Sequence, residues 1–213
     1  MEKNLKKTHP ELSKEWNGEK NGELKPTDVT YGSERKVWWR CEKGHEWMAQ
    51  IGNRVRGTKC PYCTNHKILK GYNDLETTHP EIAKQWNYER NNGIKPSEVF
   101  AAGKYKFWWK CEKGHEWEAR LYERKDGNGC PYCSNRKVLE GYNDLQTINS
   151  KLAKQWNYEK NKELKPTQIT AGSNKCVWWK CKKGHEWKAT IASRNNGYGC
   201  PYCSHVKIEK RCK

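Results

Sequence analysis

Three times, at intervals of 70 residues, the chain carries the pattern Cys-x3-His-x14-Cys-x2-Cys. The copies are Cys41, His45, Cys60 and Cys63; Cys111, His115, Cys130 and Cys133; and Cys181, His185, Cys200 and Cys203. Two close pairs of soft or borderline ligands are what a tetrahedral zinc ion takes, and the chain between the pairs is long enough for a hairpin. One Cys-x2-Cys is weak evidence, whereas three copies without a spacing error leave little room for chance. The pattern predicts three structural zinc ions, one in each of three modules at residues 1–70, 71–140 and 141–213.

Composition agrees with a stapled array. Only 34% of the residues are apolar, too few for one large core. Small units of this kind need a staple more than a core. A structural zinc contributes about 10–16 kcal/mol to such a domain, enough to decide whether it folds. The rival reading, a disulfide-rich secreted protein, fits poorly. Eleven cysteines are an odd number, and each set of three keeps step with a histidine. Met1-Glu2-Lys3-Asn4-Leu5-Lys6-Lys7 lacks the apolar segment of a secretory signal, and no apolar run reaches membrane length. The expectation is a reducing cytoplasm, where cysteine patterns hold metal. Cys176 and Cys212 fall outside the pattern and are expected to be free thiols with no metal role.

Each repeat opens on a helix signal. Thr8-His9-Pro10-Glu11 and Thr78-His79-Pro80-Glu81 have the capping-box form. Leu12 and Trp16, Ile82 and Trp86, and Leu152 and Trp156 stand four apart, on one helical face, and read as core. A polar stretch with Pro26, Pro96 or Pro166 follows as loop. Then come strand signals at Val37-Trp38-Trp39, Phe107-Trp108-Trp109 and Val177-Trp178-Trp179. Neighbouring strand residues face opposite sides, so one tryptophan of each pair enters the core and the other faces out; the sequence does not say which. Gly44, Gly114 and Gly184 precede the histidines, where the backbone must turn around the metal. Glu46–Ile51 reads as the returning strand. Cys60-Pro61-Tyr62-Cys63 is expected to open a helix reaching about Leu69, with Pro61 at its first position. The fold class expected is small α+β zinc-stapled modules, each a short helix, a β-hairpin with a zinc knuckle, and a ligand-bearing helix.

Knuckle, hairpin and second ligand pair together resemble the treble-clef zinc finger. More closely, Trp109-Lys110-Cys111, Gly114-His115-Glu116-Trp117, Arg124 and Gly129-Cys130-Pro131-Tyr132-Cys133 are similar to a bacterial and viral family of treble-clef, zinc-ribbon domains. Gly71-Tyr72-Asn73-Asp74-Leu75 and Trp86-Asn87 belong to the resemblance, which covers nearly the whole chain. Lys59, where the other repeats have Gly129 and Gly199, departs from it without touching a ligand. Members occur in tandem arrays, sometimes beside restriction-endonuclease-like domains, which implies a nucleic-acid role.

An enzyme is not expected. A catalytic zinc keeps a position open for water, and four protein ligands close the site. The zinc deaminase signature fails twice: Trp47 stands where its glutamate belongs, and Pro61 lies inside the cysteine pair. Charge points to a polyanion. Against 25 acidic groups the chain has 42 Lys and Arg, a formal net charge of +17. Residues 1–70 carry 15 basic and 9 acidic groups, 71–140 carry 12 and 11, and 141–213 carry 15 and 5. The expected partner is nucleic acid, DNA before RNA, bound by a monomer through basic faces. Arg54, Arg124, Arg194, Lys180, Lys182 and Lys183 are the candidate contacts, the competing reading of the three arginines being that each stacks on tryptophan or pairs with glutamate within the fold; a nuclease is a candidate protein partner. The competing expectation is a protein-binding adaptor or inhibitor docking on a host nuclease or polymerase.

Overall fold

The computed structural model describes residues 3–204. It forms two compact units, divided between Tyr105 and Lys106. The first repeat consists of α1 (Leu5–Thr8), α2 (Pro10–Lys14), α3 (Gly18–Asn21), β1 (Lys36–Arg40), β2 (Glu46–Gln50) and α4 (Ile51–Val55). The second supplies α5 (Leu75–Thr78), α6 (Pro80–Ala83), β3 (Lys106–Lys110), β4 (Glu116–Arg120) and α7 (Leu121–Lys125). The third has α8 (Leu145–Ile148), α9 (Ser150–Ala153), α10 (Tyr158–Asn161), β5 (Cys176–Lys180), β6 (Glu186–Thr190) and α11 (Ile191–Asn195). The fold class is as expected: small α+β modules, each built on a two-stranded antiparallel hairpin.

The opening helix is broken into single turns for a local reason. His9 precedes Pro10, whose ring disfavours the α conformation at the residue before it, although Asn149 breaks the third copy at the same place with Ser150 following it. His9 accordingly sits at φ −138°, ψ 67°, and Pro10 starts a new turn. Thr8 is therefore no N-cap. The cap is four residues earlier, where the side chains of Asn4, Asp74 and Asp144 accept from Lys7, Thr77 and Thr147 N–H. The Thr8 and Thr78 hydroxyls instead donate back to the Asn4 and Asp74 carbonyls.

Pairing in the hairpins is in strict register, with Trp39 opposite Trp47, Trp109 opposite Trp117, and Trp179 opposite Trp187. That register decides the question left by each tryptophan pair. Trp39, Trp109 and Trp179 are fully buried, and each donates its indole N–H to the carbonyl of Ala49, Ala119 or Ala189. Trp38, Trp108 and Trp178 stand on the outer face, half-buried. The first core gathers Leu5, Val29, Val37, Trp39, Trp47 and Ile51, and the third uses the matching residues. Along the open edge of β1, Arg40 N–H donates to Glu15 O and Asn17 N–H to Trp38 O. The Asn21 side chain completes that edge, donating to Trp38 O and accepting from Trp38 N–H, both at 2.8 Å. Asn161 does the same for Trp178.

The segment that bears the second ligand pair is not a helix. Thr64 N–H reaches back to Cys60 O, one turn is made, and Asn65 then takes a left-handed conformation at φ 56°. Asn135 repeats this in the second copy. The expected helix to Leu69 is thus cut to a single turn, because a left-handed residue cannot continue a right-handed helix.

Asp74 offers a clean test of the capping assignment. Burial pushes its pKa up, but hydrogen bonds from the Thr77 and Gly71 N–H groups and the Thr77 hydroxyl outweigh burial and hold it below its ordinary value. A carboxylate depressed in this way stabilises the fold above its ordinary pKa, and the contribution is lost as pH falls through the folded value. Asp74→Ala is expected to cost about 1–2 kcal/mol at neutral pH by urea unfolding. Asp74→Asn, which copies Asn4, loses less. The gap between wild type and Asp74→Ala begins to narrow as pH falls below about 4.

Candidate metal centre

Each centre is assembled from two turns. The first ligand pair brackets the turn between the strands, where Gly44, Gly114 and Gly184 have φ of 81°, 81° and 85°. Cys41 N–H donates to His45 O and Gly44 N–H to Cys41 O, closing a knuckle around the sulfur. The second pair sits on the turn begun by Cys60, Cys130 or Cys200. In all three copies the four ligand atoms lie within 4.8 Å of one another.

The spacing fits a tetrahedron. Zn–S bonds of about 2.3 Å and Zn–N bonds of about 2.0–2.1 Å imply edges of about 3.8 Å between sulfurs and about 3.5 Å between nitrogen and sulfur. In the first centre Cys41 Sγ is 3.8 Å from Cys63 Sγ and 3.5 Å from His45 Nδ1. Cys60 Sγ stands 3.7 Å from the same nitrogen, and Cys63 Sγ 3.2 Å. The second centre gives 3.9, 3.5, 3.6 and 3.3 Å for the same pairs. The third gives 3.9, 3.5, 3.6 and 3.4 Å. Three Cys3His sets suit three structural zinc ions, with each histidine presenting Nδ1. Four protein ligands leave no place for a reacting water.

The protein tunes the thiols unequally. Burial pushes the Cys60 thiol up to about 11, against the pull of the Cys63 and Tyr62 N–H groups. Burial likewise raises Cys130. At Cys111 and Cys181 burial acts in the same direction, but the knuckle N–H groups of the His and Lys that follow outweigh it and hold the thiol below its ordinary value. At Cys111 and Cys181 the knuckle turn thus favours the thiolate that a metal takes. The raised thiols of Cys60 and Cys130 give up a proton more readily when a cation takes its place, which ties folding to the metal.

Packing behind the histidines comes from a segment the ligand pattern does not flag. The Tyr72 ring lies 4.1 Å from the His45 ring, and Tyr142 lies 4.1 Å from His115. Lys43 and Lys113 donate to those tyrosine hydroxyls at 3.2 and 3.1 Å. Beside them Asn73 is buried and donates to Tyr62 O, Lys67 O and Asn65 Oδ1, while accepting from Leu69 N–H. Asn143 makes the same four contacts. The Gly-Tyr-Asn-Asp-Leu segment therefore clasps the metal turn ahead of it, then supplies the Asp cap of the following helix. Its repetition at 71–75 and 141–145 was the signal available in the sequence. In the third copy Cys212 and Lys213 stand where Tyr and Asn would fall, outside the described residues.

Three of the candidate nucleic-acid contacts need correction. Arg54, Arg124 and Arg194 are buried, with 6%, 4% and 7% exposure. Arg54 lies between the Trp39 and Trp47 rings, 5.2 Å from each centroid. Arg124 lies between Trp109 and Trp117, and Arg194 between Trp179 and Trp187. The Arg54 guanidinium also pairs with Glu15 and donates to Thr58 O. Desolvation lowers the pKa of Arg124 and Arg194. These groups brace the hairpin from inside and cannot reach a phosphate. Lys180, Lys182 and Lys183 are exposed, Lys180 lying 3.6 Å from Glu186. Cys176 is disulfide-bonded, so the expectation of a free thiol there does not hold. Cys212 lies outside the described residues. The nine ligand cysteines are in no disulfide.

Comparison with known proteins agrees with this geometry. A family model described as "Probable Treble clef zinc finger domain" matches residues 12–66, 82–136 and 152–206. A protein of Escherichia phage T5 named "Putative endonuclease" is 29% identical over 102 residues, covering 45% of this chain. The match spans 31% of that phage protein, so the chain corresponds to under a third of its length.

Elemental analysis of purified protein is expected to find three zinc ions per chain, and two in Cys133→Ser. Lowering the pH returns protons to the ligands and releases the metal. Arg54→Ala empties the space between two tryptophans and strands Glu15, so a loss of about 3 kcal/mol is expected in urea unfolding of the zinc-loaded protein.

Proposed function

Since the chain belongs to the treble-clef zinc-finger family, with three copies of the domain in tandem, we propose that it is a nucleic-acid-binding array with no catalytic activity of its own. Zinc holds each module and exposed lysines contact phosphates, with DNA as the first ligand to test. The observation that carries the reading is where cations remain once the arginines are enclosed. Lys43 and Lys113 in the first two knuckle turns, and Lys182 and Lys183 in the third, are exposed beside the metal centres. The third repeat adds exposed Lys180 and Lys188, and its surplus of basic groups is the largest of the three. Each Cys3His zinc centre changes the net charge by −1, so three leave the chain strongly cationic. The likeness to a phage protein named as an endonuclease supports a role in targeting a nuclease. Among the described residues no helix is long and apolar enough to cross a membrane.

Fluorescence anisotropy with labelled duplex and single-stranded oligonucleotides, over a range of salt, tests the reading. Affinity should fall linearly with log salt, by about 0.9 in log K per phosphate neutralised on a duplex. Lys182→Ala with Lys183→Ala should flatten the slope by about 2 units while keeping three zinc ions. Zinc-loaded protein that ignores both oligonucleotides at low salt would refute nucleic-acid binding and favour a protein adaptor.

A further inference from the structure

The outer hairpin face carries a feature that neither zinc binding nor the core uses. Trp38, Trp108 and Trp178 occupy the centre of the first strand of each hairpin, half-buried and facing away from the core. In the first and third repeats the surroundings are built alike. The Trp38 backbone is clamped by the Asn21 side chain, and that of Trp178 by Asn161. Lys20 Nζ lies 4.4 Å from the Trp38 ring centroid, and Lys160 Nζ 4.3 Å from that of Trp178. Each lysine is held by a carboxylate, Glu46 at 2.6 Å or Glu186 at 2.7 Å. Directly across the strand from the tryptophan the residue changes: Met48, Glu118 and Lys188, all exposed. Lys188 Nζ adds a second cation, 5.3 Å from the Trp178 ring. In the first repeat an open groove of about 620 Å³ runs from this face to the metal turn, lined by Lys20, Trp38, Met48, Tyr62 and Lys67 among others.

We propose that the outer faces of the first and third hairpins are stacking platforms for single-stranded nucleic acid. One base lies on Trp38 and another on Trp178, and the residue at 48, 118 or 188 sets how each hairpin receives the strand. The proposal rests on the nucleic-acid reading above and narrows it to unpaired bases. An indole offers a face to any base, so such a platform is tolerant of sequence. At the surface the lysine is held only weakly by the indole and by the Glu46 or Glu186 carboxylate. It passes to the phosphate when the base takes its place, and Lys67 or Lys188 lies on the same face to follow the backbone. In the second repeat Glu118 stands across from Trp108 and repels phosphate, so that hairpin contributes least.

The test uses the full-length, zinc-loaded chain with labelled oligothymidylate, oligouridylate and a duplex of mixed sequence. Trp38→Leu with Trp178→Leu, verified to hold three zinc ions, should weaken single-strand binding on the order of 10- to 100-fold. The salt slope should hardly move, because stacking releases no counterions, and duplex binding should persist. The thymidylate and uridylate arms identify which strand is preferred. Exposed positions give a second readout that does not disturb the core. Met48→Glu should weaken single-strand binding. Glu118→Lys should tighten it and steepen the slope by about 0.7. Glu81→Lys, the same charge change on an exposed helix of the second repeat, should do clearly less. The proposal is overturned if the double tryptophan variant binds single strands as wild type does, if Glu118→Lys and Glu81→Lys are equivalent, or if wild type binds only duplex. The last result would leave the broader nucleic-acid reading intact. Absence of any binding by wild type would end both.

Discussion

Each module depends on four ligand atoms brought within 4.8 Å of one another from two turns that no hydrogen-bond ladder joins. An isolated two-stranded hairpin is marginal in water. Here it is backed only by one-turn helices and a core of about seven buried residues. Helices of four or five residues lie far below the length at which helix formation sustains itself. The metal supplies the missing cooperativity by joining the hairpin turn to the Cys-Pro-Tyr-Cys turn. The knuckle amides that lower the Cys111 and Cys181 thiols are oriented by the same turn that positions the histidine, so one backbone conformation sets both geometry and charge.

The second device is a guanidinium enclosed by indoles. Arg54, Arg124 and Arg194 each sit between an inward tryptophan of the first strand and its cross-strand partner. The planar guanidinium can stack on both rings at once and still donate in its own plane, which a lysine cannot do. In the first repeat the donors go to Glu15 and to the Thr58 carbonyl, linking the helical segment, the hairpin and the approach to Cys60. Recurrence of an arginine in a basic chain suggests phosphate binding. Recurrence beside two tryptophans has this second explanation, and burial decides for it.

Ligand spacing was legible because coordination is local: the residue types, their separations and the glycine before each histidine follow from a fixed geometry around one ion. Hairpin and core were legible from tryptophan and alternation for the same reason. Two elements were not. The Thr8-His9-Pro10-Glu11 box has the letters of a cap, yet the chain leaves the helix at His9, as it does at Asn149 where no proline follows, and the real cap lies at Asn4. The Cys60 segment has a helix-opening sequence, yet Asn65 turns left-handed and Asn73 collects the carbonyls that a helix would have used. Those contacts reach back eleven and six residues, to Tyr62 O and Lys67 O, and no periodicity announces them. The orientation of each tryptophan pair also needed the register, since alternation fixes only that the two differ.

The repeats then separate what the fold requires from what it leaves open. Buried tryptophan, enclosed arginine, knuckle glycine and four ligands are the same in all three copies because each has a partner that fits nothing else. Position 48 and its equivalents carry no such burden: the side chains are exposed and touch neither metal nor core. There the chemistry runs from thioether to carboxylate to ammonium, while the tryptophan opposite is kept. A bulky aromatic held at the surface next to a position free to change is the pattern of a contact face whose framework is constant and whose selectivity is local. It also explains how three modules of one design differ so much in charge. Basic groups concentrate in the first and third, where Lys20 and Lys160 cover an indole, whereas the second, with Arg90 at that position, differs by the carboxylate of Glu118 across the strand from its tryptophan.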